Sequence, residues 1–334
     1  MSTVAAIAFT PAPASDSPNL RSANDDSLRT FHGLIDLCFS SLRRWNPELT
    51  VVLVTTTSPG EEMERRLAEL DARVLLTQFN HQPPAGFFHS FNASLFSIDA
   101  LACLAAAYPA AEDRILLLDP DVICTGSLKP VAEAIPTDGF LAYDTEYDLD
   151  YVCQGLSAVT AGELHRQLDL AHTQAPRHYG GELYGFTSST WDAIAPRVEE
   201  AWQFSLDQWT KNLPRFVTEE QLMNFALRYT RVEQASPYIR RIWTAPTHRT
   251  VLPGDLTLPL WHLPAEKHRG LARMLPASRD PQSWFWGSEH PAWRDTAAAH
   301  FGIPRRDPKR LLWDLTGAAV RRTQALVSTR GAAQ

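Results

Sequence analysis

Four consecutive apolar residues, Ile115 to Leu118, end on Asp119-Pro120-Asp121. A run this short and this uniformly apolar fits a strand buried on both faces, as in a parallel sheet covered by helices on each side. Such sheets place their ligands beyond the carboxyl ends of the strands, which is where the two aspartates stand. Carboxylates two residues apart, with Pro120 stiffening the turn, offer hard oxygen ligands to Mg2+ or Mn2+ and leave coordination positions open for phosphate oxygens. A surface loop that happens to hold two acids has the same local sequence; the apolar run in front is what points to a metal-binding strand end.

The rest of the first half alternates strand-like and helix-like segments. Val4 to Phe9 reads as a strand, followed by a polar loop to about Asn24. Asp25 or Asp26 is placed to cap a helix that sets Phe31, Leu34, Ile35, Cys38 and Leu42 on one face and stops at Asn46-Pro47. Leu49 to Thr55 reads as a strand, Glu61 to Leu70 as a charged helix, Arg73 to Phe79 as a third strand, and Ala93 to Ala107 as an apolar helix leading into the Asp119 strand. These four units predict an α/β fold with a mostly parallel sheet flanked by helices on both faces. Gly139 to Tyr143 reads as a fifth strand. Further on, Tyr179 to Phe186 is a strand that needs glycine for close backbone approach. Trp191 to Trp209 and Glu219 to Tyr229 are helices, and Leu256 to Leu263 is a strand. Lys309 to Leu326 predicts a helix with Leu311, Leu312, Leu315 and Val320 along one side and basic residues at its ends. It suits docking on the domain or a peripheral membrane contact.

With 334 residues, 44% of them hydrophobic and 21% charged, the chain can bury a sizeable core. A formal net charge of −7 without a long basic run argues against a nucleic-acid partner and for small-molecule ligands. Cys38, Cys103, Cys124 and Cys153 are widely spaced, so neither a zinc motif nor a disulfide framework is indicated; they read as reduced core residues. The N-terminus lacks a basic start, its apolar stretch is too short for a signal peptide, and no segment reaches membrane-spanning length, which predicts a cytoplasmic protein.

Taken together, these motifs resemble a retaining glycosyltransferase of the GT-A fold, nearest to families 8 and 6, over roughly residues 3–270. The resemblance implies a Rossmann-like nucleotide-sugar-binding and catalytic domain over residues 1–270, with a Trp-rich segment and helix at 271–334 packed on it. Asp119 and Asp121 then hold Mn2+ or Mg2+ on the donor diphosphate, with Asp119 also near the ribose. The segment Trp261-His262 to Gly270 resembles the family 8 stretch in which a His is a further metal ligand and a Lys meets the diphosphate, which assigns His262 and Lys267 to those roles. Here the usual Gly three residues after the His and the Lys-Pro-Trp are missing, and family 6 does not use that His. Thr218-Glu219-Glu220-Gln221 resembles the acidic helix start that faces the anomeric carbon. Glu220 would stabilise positive charge there, although an N-cap followed by acids also suits any helix. Gly180 and Gly181 would let the backbone approach the sugar, Glu182 and Asp144 would accept hydrogen bonds from its hydroxyls, and Thr10 and Pro11 would lie over the base and ribose. Trp243, Trp284 and Trp286 are candidates to stack on an acceptor. The implied reaction moves a hexose from a UDP-sugar, with retention, to a saccharide, lipid, protein or small-molecule acceptor.

Three rivals share parts of this pattern. A haloacid dehalogenase-type phosphatase also has two aspartates on one apolar strand, but near the start of its core and with Thr or Val where Ile123 stands. A sugar nucleotidyltransferase needs a Gly-rich basic loop after the first strand, which Thr10-Pro11-Ala12-Pro13-Ala14 is not. A non-catalytic nucleotide-sugar-binding protein would keep the pocket without turnover.

Overall fold

The computed structural model of the chain describes residues 2–17, 27–171, 176–245, 247–306 and 308. In chain order its strands are β1 Thr3–Phe9, β2 Thr50–Thr55, β3 Ala72–Leu76, β4 Arg114–Leu118, β5 Val122–Cys124, β6 Gly139–Asp144, β7 Tyr179–Phe186, β8 Arg231–Gln234, β9 Ile239–Arg241 and β10 Leu260–His262. Its α-helices are α1 Ser27–Trp45, α2 Glu61–Glu69, α3 Phe96–Ala107, α4 Lys129–Glu133, α5 Ala158–Leu168, α6 Ser188–Thr210, α7 Glu219–Ala226, α8 Gly270–Arg279, α9 Trp284–Gly287 and α10 His290–Phe301.

The main sheet has seven strands in the order β3-β2-β1-β4-β7-β6-β8. β1 to β4 run parallel, as the repeated strand–helix pattern predicts, and β7 enters antiparallel between β4 and β6. The β4 run is apolar throughout because both of its faces are buried. Ile115 and Leu117 point into a core shared with Leu101 of α3, Trp202 of α6 and Phe225 of α7, whereas Leu116 and Leu118 join Ile35, Cys38 and Leu42 of α1 on the other side. Asn46, just past α1, ties the helix end to the segment after β5: its carboxamide accepts from the Leu128 N–H at 2.7 Å and donates to the Gly126 carbonyl at 3.2 Å. This anchors the segment that follows the two aspartates.

A second, three-stranded sheet, β5-β10-β9, was not legible as such, since each strand has only three residues. The strand expected over Leu256 to Leu263 is correspondingly short. Pro253–Thr257 winds into a 3-10 turn, and only Leu260–His262 pairs. Beyond it, α8, α9 and α10 close a third core in which Trp293, Phe285, Phe301 and Met274 meet Trp261 and Leu37. Cys38 and Cys124 are buried as expected, but Cys103 and Cys153 are only half-buried, and all four are free thiols. No helix among the described residues is long and apolar enough to cross a membrane. The expected Asp25 or Asp26 cap and the Lys309 to Leu326 helix lie outside the described residues.

His81 ties the loop after β3 to the helical layer, with Nδ1 at 2.7 Å from Asp99 Oδ1 and Nε2 at 3.3 Å from Glu199 Oε2. Burial opposes its charge, but the Asp99 hydrogen bond and the two carboxylates outweigh burial and raise its pKa. A raised folded value means that the ion pairs contribute fully below the unfolded value of about 6.5 and fade as pH rises through the folded one. Thermal unfolding of His81→Gln should therefore show its largest deficit in acid and a shrinking one in alkali. A deficit independent of pH would assign the loss to packing against Trp202 instead.

Candidate active site

Strand register assembles the site. In the small sheet, His262 lies opposite Val122 on one side and Arg241 on the other, so the residue after Asp121, the histidine and the arginine stand in one row. In the main sheet, Leu118 lies opposite Leu183, and the Asp119 N–H donates to the Glu182 carbonyl at 3.3 Å. The end of β4 therefore faces the glycine-rich start of β7. The first turn of α7 supplies Glu219 and Glu220 beside them.

His262 Nε2 is 3.4 Å from both Asp119 Oδ2 and Asp121 Oδ1. The three donor atoms form a group compact enough for one cation. Cis ligands around an octahedral ion with 2.1 Å bonds stand about 3 Å apart, so the two His262–carboxylate separations are near those that Mg2+ or Mn2+ requires. Nδ1 of the same ring faces Glu182 Oε1 at 3.5 Å, which favours the tautomer that leaves Nε2 for a metal. Burial works against the His262 charge, but the Asp121 carboxylate and its hydrogen bond hold the pKa up at about 10. Lys267 is nearly buried, and its ammonium bonds Asp121 Oδ2. It is thus an internal counter-ion at the site, where the sequence alone would also allow a solvated lysine.

Arg241 ties the rest together, and no motif announced it. Its guanidinium reaches Glu182 through Nε at 3.1 Å and Nη2 at 2.7 Å, Glu220 Oε1 through Nη2 at 2.7 Å, and the Tyr147 hydroxyl through Nη1 at 3.1 Å. Glu182 is fully buried in this pairing and is not among the residues that line the cavity. The glycines are explained by the same cluster. A Cβ on Gly180 would stand 2.0 Å from Glu182 Oε2 and 2.5 Å from Arg241 Nη2, and one on Gly181 would stand 2.7 Å from Glu219 Oε1. At both positions a side chain would collide with these buried charged groups.

Glu219 and Glu220 differ sharply although they are neighbours. Burial would push the Glu220 carboxyl up, but the Arg241 charge, the His178 hydrogen bond at 3.1 Å and the Gly181 N–H at 2.9 Å hold it well below the usual carboxylate range. Glu219 is pushed up to about 8 by burial and by the charge of Glu220. Thr218 does not cap the helix as expected: its hydroxyl donates to Gln154 Oε1 at 2.6 Å, so these acids are not the solvated first turn of an ordinary surface helix.

Beside this cluster lies a cavity of about 380 Å3. Asp119, Asp121, His262 and Lys267 line one part of it, Glu219, Glu220 and Arg241 another, and Thr10, Pro11 and Trp243 its rim. The loop bearing Thr10 is pinned by buried Asp16, whose carboxylate accepts from the backbone N–H groups of Asn92 and Ala93 at 2.8 Å each. Asp144 is not brought to this cavity. It lines a neighbouring one of about 240 Å3 and faces Arg177 at 3.4 Å. Trp284 and Trp286 lie in the C-terminal aromatic cluster, around Phe285 and Trp293.

No family model and no curated protein matches the sequence. Solved structures do. WbbM, described as a bifunctional glycosyltransferase, superposes with a TM-score of 0.50 at 12% identity over 78% of this chain, which spans 45% of WbbM. The galactosyltransferase LgtC, in complex with donor and acceptor sugar analogs, gives a TM-score of 0.48 at 15% identity, covering 93% of this chain and 99% of its own. Mouse xyloside xylosyltransferase 1 gives 0.48 at 11% identity, covering 78% and 97%. At such identities the WbbM likeness bears on the fold alone, and together with the mixed seven-stranded sheet it identifies that fold as GT-A.

Proposed function

We propose that the protein is a divalent-cation-dependent glycosyltransferase that moves a hexose from a nucleotide sugar, a UDP-hexose, to a hydroxyl of a saccharide or other acceptor with retention of configuration. One observation carries the reading. The Asp119, Asp121 and His262 donors and the Glu220 carboxyl line the same cavity, of a size suited to a small ligand, in a GT-A fold.

Asp119, Asp121 and His262 would hold the cation, which supplies positive charge to a departing diphosphate. Lys267, released from Asp121, would add a second positive charge there, and Thr10 and Pro11 would flank the nucleoside. Glu220, kept anionic by Arg241, His178 and the Gly181 N–H, is placed to stabilise positive charge developing at the anomeric carbon. The catalytic unit is taken as residues 1–270, followed by the segment 271–334; of that segment's described residues, Phe301 packs on Trp261 at 6.2 Å between ring centres. The cytoplasm is the proposed compartment, a choice supported by the free cysteines.

Glu220→Gln should lower single-turnover transfer by roughly tenfold to a hundredfold, about 1.4 to 2.7 kcal/mol, with donor affinity nearly unchanged, since the interaction strengthens only in the transition state. Glu219→Gln should change the rate by less than about threefold, because a carboxyl with a pKa of about 8 is mostly neutral near pH 7 and glutamine mimics that form. Rates are measured at saturating UDP-sugar and Mn2+, with donor affinity determined separately. Equal, mild effects of both changes would remove Glu220 from the reaction.

A further inference from the structure

Cys153, His178 and Glu220 come from three separate stretches of the chain, yet Sγ, an imidazole nitrogen and a carboxylate oxygen of the three lie within 4.8 Å of one another. Each is held from behind. Cys153 sits in a tight turn closed by its own N–H to the Leu156 carbonyl at 2.9 Å and the return bond at 3.1 Å, and Gly155 makes this turn possible by adopting a φ of 85°. The Gln221 side chain holds the Cys153 carbonyl at 3.3 Å. His178 is fixed through its carbonyl, which accepts from the Thr145 N–H at 2.9 Å and hydroxyl at 3.0 Å. Glu220 uses Oε1 for Arg241 and Gly181, so Oε2 is left to His178 alone.

From this placement we infer a second cation site, formed by Cys153 Sγ, His178 Nε2 and Glu220 Oε2, that takes a thiophilic divalent ion such as Zn2+. Bonds of about 2.0 Å to nitrogen and oxygen around a tetrahedral zinc separate the two donors by roughly 3.3 Å. His178 Nε2 and Glu220 Oε2 are already 3.1 Å apart, so the ion replaces their hydrogen bond with little movement. A thiolate and a carboxylate balance the two positive charges, and solvent in the adjoining cavities can supply the fourth ligand. The sulfur separates this site chemically from Asp119, Asp121 and His262, whose two carboxylates suit a harder ion. Ligation requires the thiolate and an unprotonated ring nitrogen, so protons compete with the ion. The site stands independently of the transferase reading. Its consequence, that a bound ion withdraws Glu220 and stops transfer, rests on that reading.

The test titrates the full-length purified protein with Co2+ alone. A thiolate-to-cobalt charge-transfer band should appear, saturate, persist in Asp121→Asn and vanish in Cys153→Ser. Absence of the band, or its survival in Cys153→Ser, overturns the site. A second readout needs no variant. Zn2+ at ten times its dissociation constant should slow alkylation of Cys153, followed by peptide mapping, by about tenfold, since only the free fraction reacts; alkylation indifferent to Zn2+ also overturns it. If the site fills and Zn2+ leaves transfer in the presence of Mn2+ untouched, the site is upheld and the assignment of Glu220 to the reaction fails.

Discussion

Asp121→Asn is expected to lower transfer at least about a hundredfold, a loss of about 2.7 kcal/mol, and to abolish the dependence of donor binding on Mn2+. The aspartate is almost completely buried, with one oxygen 3.4 Å from His262 Nε2 and the other on the Lys267 ammonium. Asparagine keeps the shape and removes the charge on which both neighbours depend. Its backbone carbonyl still accepts from the Leu263 N–H at 3.1 Å, so the end of the β5–β10 pairing survives the change. The measurement is the initial rate and nucleotide-sugar affinity across a Mn2+ titration, with a thermal scan to establish that the variant is folded. Wild-type Mn2+ dependence in a folded variant would place the cation elsewhere. Asp119→Asn should act in the same direction and also weaken nucleoside binding.

The largest loss of stability is expected from Arg241→Met. Its guanidinium is shared by Glu182, which is fully buried, and by Glu220, and removing it strands two carboxylates in the interior. Breaking buried pairs in this way costs about 3 to 5 kcal/mol, far more than an exposed salt bridge contributes. Adding Glu182→Gln to Arg241→Met removes one of the stranded charges, so the double variant should recover about 1 to 3 kcal/mol of the sum expected from the single changes. Urea unfolding of the wild type, both single variants and the double variant gives that coupling directly. Strict additivity would mean that the two residues do not depend on each other, and that Glu182 must be explained by something other than Arg241.

What local pattern could determine, it did. An unbroken apolar run means burial on two faces, and Ile115 to Leu118 alternate between two cores. Apolar residues at helical spacing predict one buried face in α1; Ile35, Cys38 and Leu42 do meet the sheet, but Leu34 and Leu37 enter the third core and the helix is buried on every side from Leu34 to Leu42. Acids at the end of such a strand stand where ligands of this kind of sheet lie, so Asp119 and Asp121 could be singled out from the chain alone. His262 was found because it ends a strand too.

The tertiary structure decided the rest. Arg241 and Glu182 are 59 residues apart, and nothing near either foretells the pairing, which arises because β9 runs alongside β10 and β10 alongside β5. Gly180 and Gly181 could be read as a close approach, but the atoms being approached belong to Glu182, Arg241 and Glu219. Asp144 stands at a strand end as Asp121 does, yet it lines a different cavity. Glu219 and Glu220 match any acidic helix start in sequence, and only their burial beside Arg241 and His178 separates a largely neutral acid from an ionised one. Periodicity records which face of an element is buried, whereas strand order and register choose the partners waiting there, and a buried charge takes its protonation state from those partners.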